Sequence, residues 1–488
     1  MTKQKSFLNK AAGMAATAGV ALTSVSAMAA SLTGPSSSES PYLLPLRPDV
    51  HVASLLTVGD SVNFKADGVT PYRMVGIPDG LGAFENEDDD TFTLVMNHEL
   101  TGSVGAVRDH GFRGAFVSKW IINKETMEVL HGEDLIKHAW RWDVASKSYQ
   151  PITNAFSRFC SADLAAPSAF YNRESRKGYA GRIFLNGEET GTEGRAFAHF
   201  LDGNSYELPY LGKLAWENVV ANPAAGDKTV VMGTDDGTGG QVYVYVGDKK
   251  KSGSPVERAG LSGGKLYGIK VSGYPNEIPA TGIPSGTAFG LFELGDVSDK
   301  TGAQIESMSV SNAVTSFLRP EDGCWDPKNP RDFYFVTTDS FNGKSRLWRL
   351  RFHNPAKPAL GGTIDMLLDG TEGQKMMDNM TVKGGSILIQ EDVGNNPFVG
   401  RLLRYNIGKD TLEEIATLDP DRFTVGGANF LTQDEESSGV IPMTGILGSS
   451  WYLAVVQAHY AKDAELVEGG QLLLMHVPQG GKKHEDHD

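Results

Sequence analysis

Cysteine is scarce in this sequence, since only Cys160 and Cys324 occur among 488 residues. A chain of this length buries an ample apolar core and has no need of a disulfide scaffold. The class of small disulfide-rich proteins is therefore excluded. In an oxidising compartment, however, two cysteines form one disulfide by default.

Long apolar runs are also missing. Beyond the N-terminus, no stretch reaches the roughly 18 uninterrupted apolar residues of a transmembrane helix, so we expect no membrane insertion. Residues 1–29 have lysines at positions 3, 5 and 10, a short apolar stretch and an A-M-A sequence ending at Ala29. This is the pattern of a signal peptide, and the lack of an Arg-Arg pair favours the general export route. We expect a periplasmic or extracellular protein.

Positive charge is in deficit. The chain has 45 Lys and Arg against 60 Asp and Glu, a net charge of -15. Removal of the signal peptide takes away three lysines and no acids, which leaves about -18. This excess argues against nucleic acid or an anionic membrane surface as a partner. An anionic substrate would need local cations such as metal ions.

Several catalytic fingerprints are absent. The sequence has no P-loop, no dinucleotide-binding fingerprint and no H-E-x-x-H zinc helix, and its one G-x-S-x-G match, GLSGG at 260–264, ends a polar loop segment instead of an apolar strand, so it is not a nucleophile elbow. Serine hydrolases of the elbow type, P-loop enzymes, Rossmann dehydrogenases and zincin proteases are therefore disfavoured.

What the sequence does contain is a repeated pattern. An apolar, strand-like run rises six times into a short cluster of Asp, Glu or His and then breaks. The six runs are FTLVMNHE ending at Glu99, RIFLNGEE at Glu189, TVVMGTDD at Asp236, DFYFVTTD at Asp339, SILIQED at Asp392 and WYLAVVQAH at His459. Repetition with ligands at the same end of each strand predicts an all-β, six-bladed β-propeller with short helical insertions, placed here at 193–202 and 304–317. A pair of β-sandwiches is the alternative.

The chain divides accordingly. We expect a signal peptide at 1–29, an N-terminal extension with the first strands at 30–85, the propeller at 86–478 and a disordered tail at 479–488. The 57 glycines suit the many tight turns of such a fold.

Radial repetition would bring the acidic clusters to one axis, where several strand ends supply the oxygen ligands of a hard cation. The candidates at the ends of the six runs are Glu99, Glu188, Glu189, Asp235, Asp236, Asp339, Glu391, Asp392 and His459. A second set opens strands instead: SRFCSADL around Cys160, FLRPEDGCWDP around Glu321, and MMDNMTV around Asp378 and Asn379. Each residue alone has a plain alternative as a solvated turn former.

These motifs, in this order, resemble the PhoX family of secreted alkaline phosphatases. The resemblance rests on NHE at 97–99, FCSADL around Cys160, GEETG at 187–191, RPEDGCWDP at 319–327, DN at 378–379 and QED at 390–392. It spans most of residues 90–460. It implies a six-bladed propeller whose centre holds iron and calcium, Fe³⁺ and Ca²⁺, and hydrolyses phosphomonoesters.

The resemblance also implies roles for individual residues. Cys160 matches the cysteine that bridges two irons in the family, and the other matched positions are acids or amides around the metals. Those positions are Glu188, Glu189, Glu321, Asp378, Asn379, Glu391 and Asp392. Arg158 or Arg319 would clamp phosphate oxygens through a planar guanidinium.

The sequence departs from the family pattern in four places. The signal lacks the twin arginine, a more basic insertion at 164–182 separates Cys160 from the paired acids, QDEESSG at 433–439 stands where another metal strand is expected, and Cys324 is additional. A disulfide between Cys160 and Cys324 would leave no bridging thiolate, so disulfide and metal thiolate both stay open. The main hypothesis is an exported metal-dependent phosphatase. The alternative is a calcium-binding propeller without phosphatase activity, which serves as a binding or structural module.

Overall fold

The computed structural model describes residues 31–478, and it confirms that the chain is mostly β. The predicted signal peptide and the predicted tail at 479–488 lie outside the described residues. Among residues 31–478, no helix is long and apolar enough to cross a membrane. The segment predicted as an extension supplies β1 (Ser31–Thr33), β2 (Leu43–Pro45), β3 (His51–Thr57), β4 (Ser61–Phe64), β5 (Pro71–Arg73) and β6 (Pro78–Glu85).

Two sheets follow, the first antiparallel and the second antiparallel except for the parallel pair of β10 and β17. The first sheet contains β6, β7 (Thr91–His98), β8 (Phe116–Asn123) and β9 (Val129–Asp134) in that order. The second sheet is built from β10 (His138–Asp143), β11 (Ser148–Pro151), β12 (Phe159–Asp163), β15 (Ile183–Glu188), β16 (Ala196–Phe200) and β17 (Asn204–Glu207). A small hairpin of β13 (Tyr171–Asn172) and β14 (Lys177–Gly178) is inserted into it.

The third sheet is long and has two halves. One half contains β18 (Trp216–Ala221), β19 (Lys228–Asp235), β20 (Thr238–Asp248), β21 (Lys265–Val271) and β22 (Thr287–Gly295). The other half contains β24 (Pro320–Trp325), β25 (Asp332–Thr337), β26 (Arg346–Phe352) and β27 (Gly362–Leu368), while β23 (Ser316–Leu318) pairs with β20. The halves are joined because β22 pairs with β27.

The last two sheets borrow strands from the N-terminal segment. The fourth sheet contains β28 (Met377–Lys383), β29 (Ser386–Glu391), β30 (Arg401–Asn406), β31 (Thr411–Leu418) and the early strand β2. The fifth sheet contains β32 (Glu435–Pro442), β33 (Trp451–Ala461) and β34 (Glu468–His476), and it is completed by β3 and β1. The two ends of the described chain thus meet in one sheet.

Helices are short. The α-helices among residues 31–478 are α1 (Pro255–Arg258), α2 (Gly302–Ser311) and α3 (Pro420–Phe423). The helix predicted at 304–317 corresponds to α2 but ends six residues earlier. The helix predicted at 193–202 is wrong, because Ala196–Phe200 forms β16, which is buried along its whole length between two neighbouring strands.

Six strands surround a common centre, and we call them the central strands. β6 lies beside β12, β12 beside β18, β18 beside β24, β24 beside β28, β28 beside β32, and β32 beside β6. The apolar core is divided among the interfaces around this ring. For example, Trp120 packs between the first and fifth sheets, Trp216 between the second and third, and Trp348 between the two halves of the third. The fold is therefore propeller-like, and it brings residues distant in sequence to one axis.

Candidate metal centre

Each central strand presents a potential ligand at its second residue. These residues are Asp79, Cys160, Glu217, Glu321, Asp378 and Glu436 on β6, β12, β18, β24, β28 and β32. All six are buried. One end of the ring of central strands is therefore lined by five carboxyl groups and a thiol.

The central strands are irregular at this point. In β6, β12, β18, β24 and β28, the pairing with the next strand shifts register between the first and fourth residues, so that the ligand-bearing residue lies inside the irregularity. A bulge bends a strand and changes the direction in which a side chain points. The repeated bulge is the local device that directs these side chains to the centre.

A second row of residues lies at the C-terminal ends of the paired strands, one residue past the strand in five sheets or half-sheets and near the end of β33 in the sixth. Its members are Glu99, Glu189, Asp236, Thr338, Asp392 and His459. Their backbone N–H groups donate to the carbonyls of Ile77, Arg158, Ala215, Arg319, Met376 and Asp434, with distances of 2.9–3.0 Å. Each acceptor lies two residues before the ligand of its central strand. The same hydrogen bond thus places a second-row residue beside each central ligand.

The two rows merge into one continuous cluster. Four groups have ligand atoms that all lie within 4.8 Å of one another: Asp79, Glu99 and Cys160; Cys160, Glu189 and Glu217; Glu217, Glu321 and Asp378; and Asp378, Asp392 and Glu436. Successive groups share Cys160, Glu217 and Asp378, so a metal bound in one group would lie next to the following one.

The electrostatics of this cluster call for cations. Burial, together with the negative charge of neighbouring carboxylates, raises the pKa of Asp79, Glu217 and Asp378 well above the ordinary range. Burial and the charge of Asp79 likewise raise the pKa of the Cys160 thiol. The buried atoms Glu217 Oε1 and Asp378 Oδ1 accept no hydrogen bond within the described chain. Buried acids with orphaned oxygens fit a site that is completed by metal ions.

Two arginines neutralise only one side of the cluster. Arg158 pairs with Glu99 at 2.7 Å and with Glu189, and Arg319 pairs with Asp236 at 2.9 Å and with Glu321 at 3.0 Å. Both arginines directly precede a central strand. Both also have a positive φ, which is an uncommon backbone conformation for a residue of this size. Their side chains stay 43% and 34% exposed, so they border the open face.

No arginine pairs with the opposite side of the cluster, formed by Asp378, Asp392 and Glu436, among residues 31–478. Burial raises the pKa of Asp392, and burial with the charge of Asp392 raises that of Glu436. This group consists of oxygen donors only, which is the donor set that Ca²⁺ prefers.

His459 is oriented by a carboxylate. Its Nδ1 lies 2.6 Å from Glu468 Oε2. Burial alone would lower the pKa of His459, but the hydrogen bond to Glu468 outweighs burial and the pKa is raised. A carboxylate on Nδ1 leaves Nε2 for another partner, which is the arrangement found behind metal-bound histidines.

The structure brings together many of the residues predicted from the sequence. Glu99, Cys160, Glu189, Glu321, Asp378 and Asp392 are in the cluster, and Arg158, Arg319 and His459 border it. Glu188, Asp235 and Glu391 are not in it. Glu188 is paired with Arg195 at 2.7 Å, Asp235 accepts from the N–H of Ala215 at 3.0 Å, and Glu391 is paired with Arg401 at 2.7 Å.

The reason is that side chains alternate between the two faces of a strand. Adjacent residues point to opposite faces, so only one acid of each neighbouring pair faces the centre. Asp339 lies one residue beyond the equivalent position, which is Thr338, and accepts from the N–H of Lys344. Asn379 is bonded to Ser161 and Ser438 beneath the cluster.

Both cysteines are free thiols in this structure, Cys160 buried and Cys324 half-buried. The disulfide alternative is therefore wrong here, and the thiol of Cys160 instead donates to Asp79 at 3.3 Å. This leaves Cys160 available as a ligand.

Sequence reasoning missed Asp79, Glu217 and Glu436. A signal exists: each central ligand follows Pro, Phe, Trp, Met or Glu and precedes a Gly, Ser, Asn or Asp, as in PDG, FCS, WEN, PED, MDN and EES. The motif QDEESSG at 433–439 does not match the family's metal-strand motif, yet it contains Glu436. Three-residue patterns of this kind are too short to be found without the ring that aligns them.

Comparisons with known proteins show the fold. Neither a protein-family model nor a curated protein sequence matches the chain. Among solved structures, Pseudomonas fluorescens PhoX in complex with vanadate, a transition state analogue, aligns over 88% of this chain and 95% of its own with a TM-score of 0.65 at 11% identity. A putative TolB from Agrobacterium tumefaciens aligns over 71% of this chain and 84% of its own, with a TM-score of 0.32 at 9% identity. The chain thus shares the overall fold of PhoX.

Proposed function

We propose that this chain is an exported, metal-dependent phosphatase of the PhoX family and that its sheets form a six-bladed propeller. The observation that carries the proposal is the continuous buried cluster of carboxylates around one thiol, located on the axis of a fold shared with a vanadate-bound phosphatase. The proposed reaction is hydrolysis of a phosphomonoester, in which water and the ester give an alcohol and inorganic phosphate.

The donor atoms divide the cluster between two kinds of metal. Asp378, Asp392 and Glu436 would hold Ca²⁺ because they offer oxygen only. Cys160, with Asp79, Glu99, Glu189 and Glu217 around it, would hold Fe³⁺, since thiolate and carboxylate both suit iron. Bound metals would neutralise phosphate charge and activate an oxygen nucleophile.

The protein groups would position the ester. Arg158 and Arg319 are held in place by carboxylates on one edge of each guanidinium, and they offer their remaining N–H groups to the phosphate oxygens. His459, fixed by Glu468, would present Nε2 toward the same face. Residues 1–29 would direct export to the periplasm or the medium. The proposed reaction needs neither a membrane nor a nucleic acid as a partner.

The two cysteines provide a matched test. We expect the purified protein to contain iron and calcium by elemental analysis and to hydrolyse p-nitrophenyl phosphate. Cys160→Ser should lose iron and lower kcat/KM by at least about 100-fold, the size of effect expected when a metal ligand is removed. Cys324→Ser should keep both, since Cys324 lies outside the cluster.

A chelator provides the second test. Prolonged chelation should abolish activity, and Ca²⁺ should restore part of it. Full activity after the metals have been removed would refute the metal mechanism. Calcium without iron and without hydrolysis would favour the non-catalytic calcium-binding propeller.

A further inference from the structure

A side pocket of about 410 Å³ lies at one end of the fifth sheet, where β3 and β33 contribute to its walls. Its walls include Tyr42, Arg422, Phe430, Leu431, Tyr460 and Lys462. None of these residues belongs to the cluster. We propose that the pocket binds the alcohol part of the phosphomonoester and that it selects an aromatic, planar group. This inference rests on the proposed phosphatase function.

The pocket lies at the same end of the fold as the metal ligands. β3 and β33 both pair antiparallel with β34, so they run in the same direction and their C-terminal ends lie together. Thr57 at the end of β3 and Tyr460 near the end of β33 both line the pocket. Tyr460 directly follows His459, which borders the cluster.

One segment of the chain, residues 431–436, runs between the pocket and the cluster. Leu431 lines the pocket, and the next residue, Thr432, donates its hydroxyl to the carbonyl of His459 at 3.3 Å. The chain then reaches Asp434, whose carbonyl accepts from His459, and two residues later the central ligand Glu436. An ester with its phosphate at the cluster would need to extend only across this segment to reach the pocket.

The pocket walls are aromatic and rigid. Tyr460 packs against Gly469 so closely that a Cβ there would come within 2.2 Å of its ring, and Lys462 Nζ lies 5.3 Å from the centre of the same ring. Tyr42 is covered by the guanidinium of Arg422 at 5.1 Å and packs edge-on against Phe423 at 5.7 Å. These contacts restrict the orientations of both rings.

Phe430 differs from the other rings because it is 43% exposed at the edge of the pocket. An exposed aromatic ring beside a pocket offers a face on which a second ring can pack, and aromatic pairs contribute about 0.5–1.5 kcal/mol beyond their buried area. The ammonium of Lys462 also lines the pocket and suits an electron-rich ring, whereas the guanidinium of Arg422 is paired with Asp419 at 2.8 Å and with Glu39 at 3.5 Å. An aliphatic alcohol such as glycerol would gain little from these contacts.

The test compares two esters and two phenylalanines. Phe430→Ala should lower kcat/KM for phenyl phosphate about tenfold, which corresponds to about 1.4 kcal/mol, and should leave kcat/KM for glycerol phosphate within about twofold. Phe64→Ala is the matched control, because Phe64 is 59% exposed on β4, away from the pocket, and should change neither value. Equal losses for both esters in Phe430→Ala, with an unchanged melting temperature, would overturn the inference.

A binding measurement separates this inference from the proposed function. Calorimetry with the metal-loaded protein should show that phenylphosphonate binds about tenfold more tightly than methylphosphonate, and that Phe430→Ala removes the difference. If neither ester is hydrolysed but the preference is found, the phosphatase proposal fails and the pocket assignment stands. If both esters are hydrolysed and the two phosphonates bind equally, the pocket assignment fails alone.

Discussion

At the residue scale, the informative feature is that acids occur in adjacent pairs of which only one faces the centre. In Glu188–Glu189 and Glu391–Asp392, the second acid belongs to the cluster of potential metal ligands and the first is bound by an arginine on the other face of the strand. The first acid of each pair thus stabilises the sheet while the second carries the site.

Glu188 and Glu189 allow this division to be tested. Glu189→Gln should reduce the metal content and lower kcat/KM by about 10- to 100-fold, because a ligand of the cluster loses its charge. Glu188→Gln should retain the metals but lower the free energy of unfolding by on the order of 3 kcal/mol, since it leaves Arg195, whose side chain is 12% exposed, without a charged partner. Elemental analysis and chemical denaturation measure both effects. The assignment is refuted if the two variants exchange these phenotypes.

Glu468 is a positioning residue for His459. Glu468→Gln should lower kcat about tenfold and shift the pH profile of kcat to lower pH, because the carboxylate that raises the pKa of His459 is lost. Glu465→Gln is the control: Glu465 lies in the turn just before β34 and pairs with Lys65 and Arg73. A lower kcat without any change in the pH profile would point to a structural role only.

At the element scale, Trp216 packs tightly against neighbouring strands and thereby positions β18 and the adjacent residue Glu217. Its side chain is clamped between glycines on two strands: a Cβ on Gly187 of β15 would come within 2.2 Å of it, and a Cβ on Gly233 of β19 within 2.4 Å. The tryptophan is almost fully buried. The sequence positions of these glycines are therefore part of the site although they touch no ligand.

Gly233→Ala should displace Trp216 and cost about 1–3 kcal/mol of unfolding free energy through overpacking. Metal content should fall with it, because Glu217 directly follows the displaced residue. Gly290→Ala is the matched control, since Gly290 also lies in a strand, β22, and an added Cβ there meets nothing within 4 Å. Normal metal content in a destabilised Gly233→Ala would show that Trp216 does not position Glu217.

Local sequence signals predict some elements of the fold, whereas others depend on strand register and on burial by neighbouring strands. The six apolar runs that end in Asp, Glu or His all fall on the strand next to a central strand, because apolar runs that end in polar clusters are strong local signals. The choice between Asp235 and Asp236 depends on register, which one residue reverses. The stretch around Ala198 is predicted as a helix but is a strand, since its burial between β15 and β17 overrides local propensity.

At the scale of the whole molecule, the ring is closed by strands from opposite ends of the chain. β3 pairs with β34 over most of its length, so the fifth sheet depends on residues that precede the first sheet. The cluster draws one ligand from every central strand. Binding of metal and closure of the ring should therefore be coupled.

This coupling predicts how pH affects stability. Burial raises the pKa of Asp79, Glu217, Glu321, Asp378 and Glu436 above their ordinary values of 3.8 and 4.5. A carboxyl with a raised pKa stabilises the folded state when it is neutral, and this contribution is lost as the pH rises above the unfolded value and through the folded one. The metal-free protein should therefore lose stability as the pH rises from about 4.5 toward 8.

Metals should reverse this loss, because they pair with the ionised carboxylates and bind more tightly as the ligands deprotonate. The difference in melting temperature between metal-loaded and metal-free protein should thus widen from pH 5 to pH 8. Buried histidines such as His98, whose pKa burial lowers to about 3, are present in both forms and cancel in this difference. Metal-free Glu217→Gln should be more stable than the metal-free wild type at pH 8, since it removes one charge from the cluster. A difference in melting temperature that stays constant with pH would mean that the acids are not paired with cations, and the central claim of a metal cluster would then be wrong.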